Sequence, residues 1–376
     1  MKIIYCIHST CNSGGMERVL SNKVNYLSSL PNYEIYIITT GQRGRPHFYD
    51  INPSVKCIDL DINYSETVIS NPIKRIYKSF GKYLKHKNKL KEILFKLKGD
   101  IVISMFTNDV NFLYKIKDGS KKVLEIHFSR EFRLLANRKG ITRLLDVYMT
   151  NFNDKLVAKY DRFVVLTKQD KQSWKDHKNI SVIYNSVTNS DNKIVSSLEN
   201  KKVLAIGRLS FQKNLELLIE LWSEISKIHL DWSLTIVGTG DSKELKNKIR
   251  MMNLENVINL VSSTNAINDY YINSSLYLMT SRFEGLPMVL LEAQNFGLPI
   301  VSLDCKCGPN EIITDGEDGF LIKMEDSSGF INKTSMLIEN DSMRKEFGKK
   351  AKVNSSRFSE EVIMKQWISL FEELVN

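Results

Sequence analysis

The residues best suited to chemistry lie between Ser281 and Gly297, where Glu284 and Glu292 stand with seven residues between them. An apolar run, Leu276–Met279, leads into this stretch as a strand, and Pro287 suits the first turn of a helix ending near Gly297. Glu284 falls outside that helix, because Gly285 and Pro287 break any backward continuation. Glu292 falls inside it, some 7 Å along at about 1.5 Å per residue. Between the carboxylates come the unpaired amides of the helix start, around Leu286, Met288 and Val289. With the macrodipole they make an anion site. Carboxylate, anion hole, carboxylate suits a ligand with hydroxyls at both ends and a diphosphate between, which describes a nucleotide sugar.

A second unit runs from Leu204 to Asn214. It ends a strand in Gly207, then offers Arg208 and, at the next helix start, Lys213. Two cations beside a phosphate are what a departing nucleoside diphosphate needs as negative charge builds on it. Each feature also has a plainer reading: a strand-end turn for Gly207, a surface lysine for Lys213. Asp59-Leu60-Asp61 has the form of a metal-binding D-x-D, but chance alternation at a strand end explains it. Cys305 and Cys307 lack the partners of a metal or redox site.

The elements that must position these residues are legible as short, continuous apolar runs. In the first half they are Ile3–Ile7, Glu34–Ile38, Val55–Leu60, Ile101–Phe106, Val123–Phe128, Phe163–Leu166 and Val182–Tyr184. The second half has Val203–Ile206, Leu234–Val237, Val257–Val261, Leu276–Met279, Ile300–Leu303 and Phe320–Ile322. Continuous apolarity suits strands covered on both faces, hence parallel sheets. Alternation with amphipathic stretches, told twice, reads as two doubly wound α/β domains. The polar, Ser- and Asn-rich segment 186–201 is the expected boundary, giving domains 1–190 and 191–359. A last helix over 360–376, capped by Ser359, either finishes the second core or crosses back to the first.

The chain has 376 residues, 42% hydrophobic and 26% charged, which excludes disorder and low-complexity classes. Its net charge of +10 favours an anionic partner. Segment 71–100 carries most of that excess, with ten Lys and Arg against Glu92 and Asp100. Its apolar stripe of Ile73, Ile76, Phe80, Tyr83, Leu84, Leu90, Leu94 and Leu97 makes it a basic amphipathic helix or helix pair. It either covers the core with a solvated lysine face or adsorbs to an anionic leaflet. The five cysteines form no C-x-x-C pair, which favours a reduced compartment. No signal peptide is expected, and no run approaches the roughly 18 apolar residues of a membrane span.

Taken together, the motifs resemble glycosyltransferase family 4. They are Gly207-Arg208-Leu209 with Lys213-Asn214, Glu284-Gly285-Leu286-Pro287 with Glu292, and Gly308-Pro309-Asn310-Glu311 followed by Asp318-Gly319-Phe320. The loop Ser13-Gly14-Gly15-Met16-Glu17-Arg18 and the crossover Tyr184-Asn185-Ser186-Val187 resemble the same family. The resemblance implies a GT-B fold, two Rossmann-like domains facing a central cleft, and a retaining, metal-independent transferase without cofactor. The bacterial members that extend capsule, O-antigen or other lipid-linked glycans look most similar. Carried over, Arg208 and Lys213 would hold the donor diphosphate, and Glu284 would face the transferred sugar. Gly285, Leu286, Pro287, Met288 and Val289 would lie on phosphates or sugar hydroxyls, and Glu292 on the ribose. Val261 and Ser262 would lie by the nucleobase, Gly14 and Gly15 would let their loop approach the donor, and His127 would meet the sugar. His127, Glu284, Arg208 and Lys213 would thus be the catalytic set. Asn214 and Val261 stand where glycine is frequent in the family, and Ser186 replaces a usual glycine.

The expected function is transfer of a hexose or N-acetylhexosamine from a nucleotide sugar, UDP-linked, to a lipid-linked or polysaccharide acceptor. The expected site of action is the cytoplasmic face of the membrane, held through 71–100. A nucleotide-sugar epimerase shares paired Rossmann domains but has no acid/base constellation here. A nucleic-acid-binding protein would fit the charge, yet no recognition motif appears. A catalytically dead homologue would be unexpected with the full donor set present.

Overall fold

A computed structural model of the chain describes all residues except 68–71, 137, 175–176, 188–193 and 265. The expected boundary segment therefore lies partly outside the described residues, as do Asn71 and the side chain of Ile73 in the basic stripe. Two parallel sheets organise the chain. The first comprises β1 (Lys2–Ile7), β2 (Glu34–Thr39), β3 (Lys56–Asp59), β4 (Ile101–Ser104), β5 (Lys121–Glu125), β6 (Arg162–Val165) and β7 (Ile180–Val182). Its order is β3-β2-β1-β4-β5-β6-β7, every pair parallel. The helices between these strands are α1 (Gly15–Ser28), α2 (Pro72–Leu97), α3 (Phe132–Leu135), α4 (Ile141–Val157) and α5 (Lys168–Ser173).

The second sheet comprises β8 (Lys202–Ile206), β9 (Ser233–Gly238), β10 (Ile258–Ser262), β11 (Leu276–Met279), β12 (Ile300–Leu303) and β13 (Gly319–Ile322). Its order is β10-β9-β8-β11-β12-β13, again parallel. Its helices are α6 (Leu215–Ile228), α7 (Lys243–Met251), α8 (Ile267–Ile272), α9 (Met288–Asn295), α10 (Pro309–Ile312), α11 (Ser327–Glu339) and α12 (Asp341–Ser355). In each sheet the first strand lies between the second and fourth, so the chain reverses its direction of winding beside β1 and beside β8. Crevices at the carboxyl ends of such strands are where open α/β sheets bind ligands. The Gly14-Gly15 loop follows β1 and Arg208 follows β8.

Every expected apolar run contains or overlaps a strand. Val182–Tyr184 is displaced from β7 because Tyr184 already belongs to the crossover, where its hydroxyl donates to Glu311 Oε2 at 2.7 Å. Phe106 and Phe128 lie beyond their strands and meet edge to face at 5.4 Å. The first sheet is sandwiched between two clusters: Leu90 and Leu94 of α2 with Leu156 and Val157 of α4 on one side, α1 residues on the other. The last helix, α13 (Glu360–Val375), joins the α1 side, burying Ile363, Trp367 and Phe371 against the first domain. Ser359 caps it through a hydrogen bond from the Val362 amide.

Candidate functional site

The two motif loops of the second domain are stitched into one structure. The Arg282 amide donates to Gln212 O at 2.8 Å, and Gln212 Nε2 donates to Phe283 O at 3.0 Å and to Glu284 Oε2 at 3.2 Å. Lys213 Nζ pairs with Glu284 Oε1 at 2.7 Å. Glu284 is buried, so this cation holds a carboxylate that would otherwise be costly. Behind them, the Tyr277 hydroxyl bonds the Ile206 amide and carbonyl and fixes the end of β8, where Gly207 and Arg208 emerge. Arg208 is exposed, and no hydrogen bond or ion pair engages it among the described residues. Asn214 caps α6 with φ +53°, a left-handed conformation that Asn tolerates and Gly takes freely, which explains the interchange at this position.

Pro287 precedes α9, and the Met288 and Val289 amides that follow have no hydrogen-bond acceptor among the described residues. Glu292 sits on the second turn, buried, accepting from Tyr271 Oη at 2.7 Å and ion-paired with Arg18 Nη1 at 2.8 Å. Arg18 belongs to α1 of the first domain, so this ion pair crosses the cleft. Glu292 raises the Arg18 pKa above the usual arginine range, outweighing burial. Burial, then the Glu292 charge, drives the Tyr271 hydroxyl well above the usual tyrosine range, so it stays a proton donor. Each carboxylate of the site therefore already has a cation: Lys213 for Glu284, Arg18 for Glu292.

His127 lies two residues past β5. Its Nε2 is 3.2 Å from Glu125 Oε1, in a contact too oblique for a well-formed hydrogen bond, and its Nδ1 is buried without a partner among the described residues. Glu125 is fully enclosed and also pairs with Lys23 Nζ at 2.5 Å. Burial pushes the Glu125 carboxyl up, but Lys23 and then His127 reverse this and hold it at about 2. Lys23 in turn sits 3.6 Å from the centroid of the Trp367 ring, tying α13 to the network behind His127.

The two domains approach closely here. A Cβ on Gly285 would lie 2.8 Å from His127 O and 3.1 Å from Phe128 Cα, so only glycine admits this contact. Gly15 faces Met288 across the same gap, its virtual Cβ 4.0 Å from Met288 Cγ. Gly308 takes φ +105° and would drive a Cβ into Pro287 Cδ. Alongside, Gln169 of α5 braces the domains: its side chain accepts from the Cys307 amide at 2.7 Å, and its amide donates to Glu311 Oε1 at 3.1 Å. Lys306 adds an ion pair to Glu131 at 2.6 Å.

This cleft has relatives. Residues 13–190 match Glycosyltransferase Family 4, and residues 186–354 match Glycosyl transferases group 1. The chain is 32% identical to the amylovoran biosynthesis glycosyltransferase AmsD of Erwinia amylovora, over 97% of the chain and 98% of that protein. The chain belongs to glycosyltransferase family 4. It is also 26% identical to a Campylobacter jejuni alpha-1,4-N-acetyl-D-galactosaminyltransferase, named for an acceptor on diphospho-undecaprenol, over 100% of this chain and 99% of that one. Among solved structures, a point mutant of S. aureus TarM in complex with Fondaparinux, alpha-GlcNAc-glycerol and UDP superposes with a TM-score of 0.78 at 19% identity. The superposition covers 98% of this chain and 99% of that one. The fold is GT-B, and the protein is a glycosyltransferase.

Within this family member, the cleft brings together Gly14, Gly15, His127, Lys213, Glu284, Gly285, Leu286, Pro287, Met288, Val289 and Glu292, on loops and on the starts of α1 and α9 from both domains. Val261 and Ser262 end the edge strand β10, and Val261 packs against the cluster that contains Tyr271 and Leu290. Asp59 of the D-x-D accepts from Thr39 Oγ1 and the amides of Arg43 and Asp61, which makes it a loop staple. Among the described residues no three His, Cys, Asp or Glu are grouped to hold a metal ion. Sequence reasoning missed the roles of Arg18, Lys23, Glu125 and Tyr271. Arg18 closes the glycine-loop motif and Glu125 is two residues from His127, so position flagged both, whereas nothing local marks Lys23 or Tyr271.

Proposed function

We propose that this glycosyltransferase moves a hexose or N-acetylhexosamine from a UDP-sugar to a lipid-linked or polysaccharide acceptor in bacterial cell-surface glycan synthesis, with retention at the anomeric carbon. The observation that carries the reading is the pair of buried carboxylates, each held by a cation, on either side of the free amides that start α9. The ribose hydroxyls would take up Glu292, and the diphosphate would lie over the Met288 and Val289 amides. As the bond from the anomeric carbon to the diphosphate oxygen breaks, charge builds on the leaving group, and Lys213 and Arg208 would receive it. Glu284 and His127 would hold the sugar itself. Closure of the cleft excludes water and keeps hydrolysis slow.

UDP and the acceptor class draw on the relatives: TarM was solved with UDP, and the Campylobacter enzyme is named for an undecaprenol-linked glycan. The side-chain cations and the helix terminus supply the charge a diphosphate needs, so we assign the reaction no metal or other cofactor, and transfer should persist in EDTA. We place the enzyme at the inner face of the cell membrane, held peripherally through the basic segment 71–100. Among the described residues no helix is long and apolar enough to cross a bilayer.

The test is transfer from UDP-sugars to an undecaprenyl-linked acceptor, with the product anomer read by NMR. Lys213→Ala and Glu292→Ala should each slow transfer by about 100-fold or more with the fold intact. Wild-type turnover in either variant, or an inverted product, would contradict the reading.

A further inference from the structure

The helix α4 is inside out. A surface helix normally turns its apolar stripe to the core. In the first three turns of α4 the buried side chains are instead Asp146 and Thr150, followed by Asn153 and Asp154. The outward residues are Ile141, Leu144, Leu145, Tyr148 and Phe152, with Ile141 78% and Leu144 70% exposed. The inward carboxylates are each held by an arginine: Asp154 takes a two-pronged ion pair from Arg130 at 2.6 and 2.8 Å, Asp146 pairs with Arg138 through Oδ1, and Thr150 donates to Asp146 O. The helix is thus anchored by ion pairs and leaves its apolar side unpartnered.

The first half of α2 repeats the pattern. Leu90 and Leu94 pack into the core, but Ile76, Tyr77, Phe80 and Leu84 stand out, Tyr77 by 82%. The expected single stripe is therefore divided, because the helix outruns the sheet it covers. Both helices pack on the same face of the first sheet. Each returns antiparallel to the parallel strands it connects, so both exposed N-terminal halves lie at the carboxyl-end edge, the edge that carries His127.

Charge selects the partner. Helix α2 carries nine Lys and Arg against Glu92 alone, and both carboxylates of α4 are buried and paired. Lys78, Lys82, Lys85 and Lys89 hold carbonyls of segment 60–66, but Arg75, Lys87 and Lys91 have no hydrogen bond or ion pair to another described group. Two copies facing each other through this surface would oppose like charges, which disfavours a dimer. An apolar patch set among unpaired cations fits an anionic lipid leaflet.

We infer that α4 and the first half of α2 form a two-helix docking surface for an anionic membrane, with α4 as the element that enters the acyl boundary and the α2 cations as its electrostatic guide. The inference rests on the reading of the enzyme as one that meets a lipid-linked acceptor, and it sets the cleft beside the leaflet. The experiment is co-sedimentation of the full chain with phosphatidylcholine vesicles with and without phosphatidylglycerol, over a range of salt. Leu144→Ser with Tyr148→Ser and, separately, Lys87→Gln with Lys91→Gln are compared with wild type.

Wild type should partition onto phosphatidylglycerol vesicles. The α4 pair should weaken partitioning about tenfold or more at every salt concentration, as loss of two inserted side chains requires. The lysine pair should mainly reduce the dependence on phosphatidylglycerol and salt. Absent binding by wild type, or an α4 pair that partitions like wild type, overturns the inference. So does a wild type that is dimeric in solution and becomes monomeric in the α4 pair. The UDP-induced thermal shift of the same samples reads the donor site independently: its loss with vesicle binding intact contradicts the proposed function alone.

Discussion

Replacing Lys23 by Met tests the network behind His127. Glu125 is 1% exposed and its carboxyl is held from an ordinary 4.5 down to about 2, against the opposing effect of burial. At about 1.4 kcal/mol per tenfold change, that displacement corresponds to about 3 kcal/mol, shared between Lys23 and His127 with Lys23 the larger. Breaking a buried pair by removing one partner costs about 3–5 kcal/mol by general experience, and the Lys23–Trp367 contact adds to it. The pair's net worth is smaller, because burial also takes Lys23 below the usual lysine range even with Glu125 beside it. Lys23→Met should therefore cost about 3 kcal/mol in urea unfolding at neutral pH, and Lys23→Met with Glu125→Gln should recover much of that loss. Glu125 has a depressed pKa in the folded state, so its contribution is present above 4.5 and is lost as pH falls from there towards about 2. The Lys23→Met protein should lack this acid-sensitive share. A single variant that loses less than about 1 kcal/mol, or a double variant as unstable as the single, would refute the reasoning.

Two further substitutions probe the cleft. Tyr271→Phe removes a buried hydrogen bond to the Glu292 carboxylate, and because such bonds contribute about 1.5–3 kcal/mol, UDP affinity measured by calorimetry should fall about tenfold or more. Gly285→Ala puts a Cβ against the His127 carbonyl, so turnover should drop at least about tenfold while circular dichroism of the variant stays that of wild type.

The sheets were legible because parallel strands are buried on both faces and read as unbroken apolar runs, from Ile3–Ile7 to Phe320–Ile322. The α9 motif was legible because Pro287 and the two glutamates fix a helix start and its neighbours within a dozen residues. Partners brought in by topology were not. Arg18 reaches Glu292 from the other domain, and Tyr271 reaches it from α8. Helix α4 escaped notice for a different reason. Periodicity shows that a helix has an apolar side but not whether that side meets the core or the solvent, and only the ion pairs of Asp146 and Asp154 decide it. Likewise nothing local shows that the lysines at 78, 82, 85 and 89 tie down the 60–66 segment.

The central claim is that Glu292, the α9 amides and Lys213 form a nucleotide-sugar site. The most direct measurement is a thermal-shift titration of UDP and UDP-sugars on wild type, Glu292→Ala and Lys213→Ala. Wild type at about 100 times Kd should gain about 2.7 kcal/mol of stability, and both variants should lose most of that gain. A well-folded wild type that shifts with no nucleotide, or a Glu292→Ala protein that shifts as wild type does, would contradict the account.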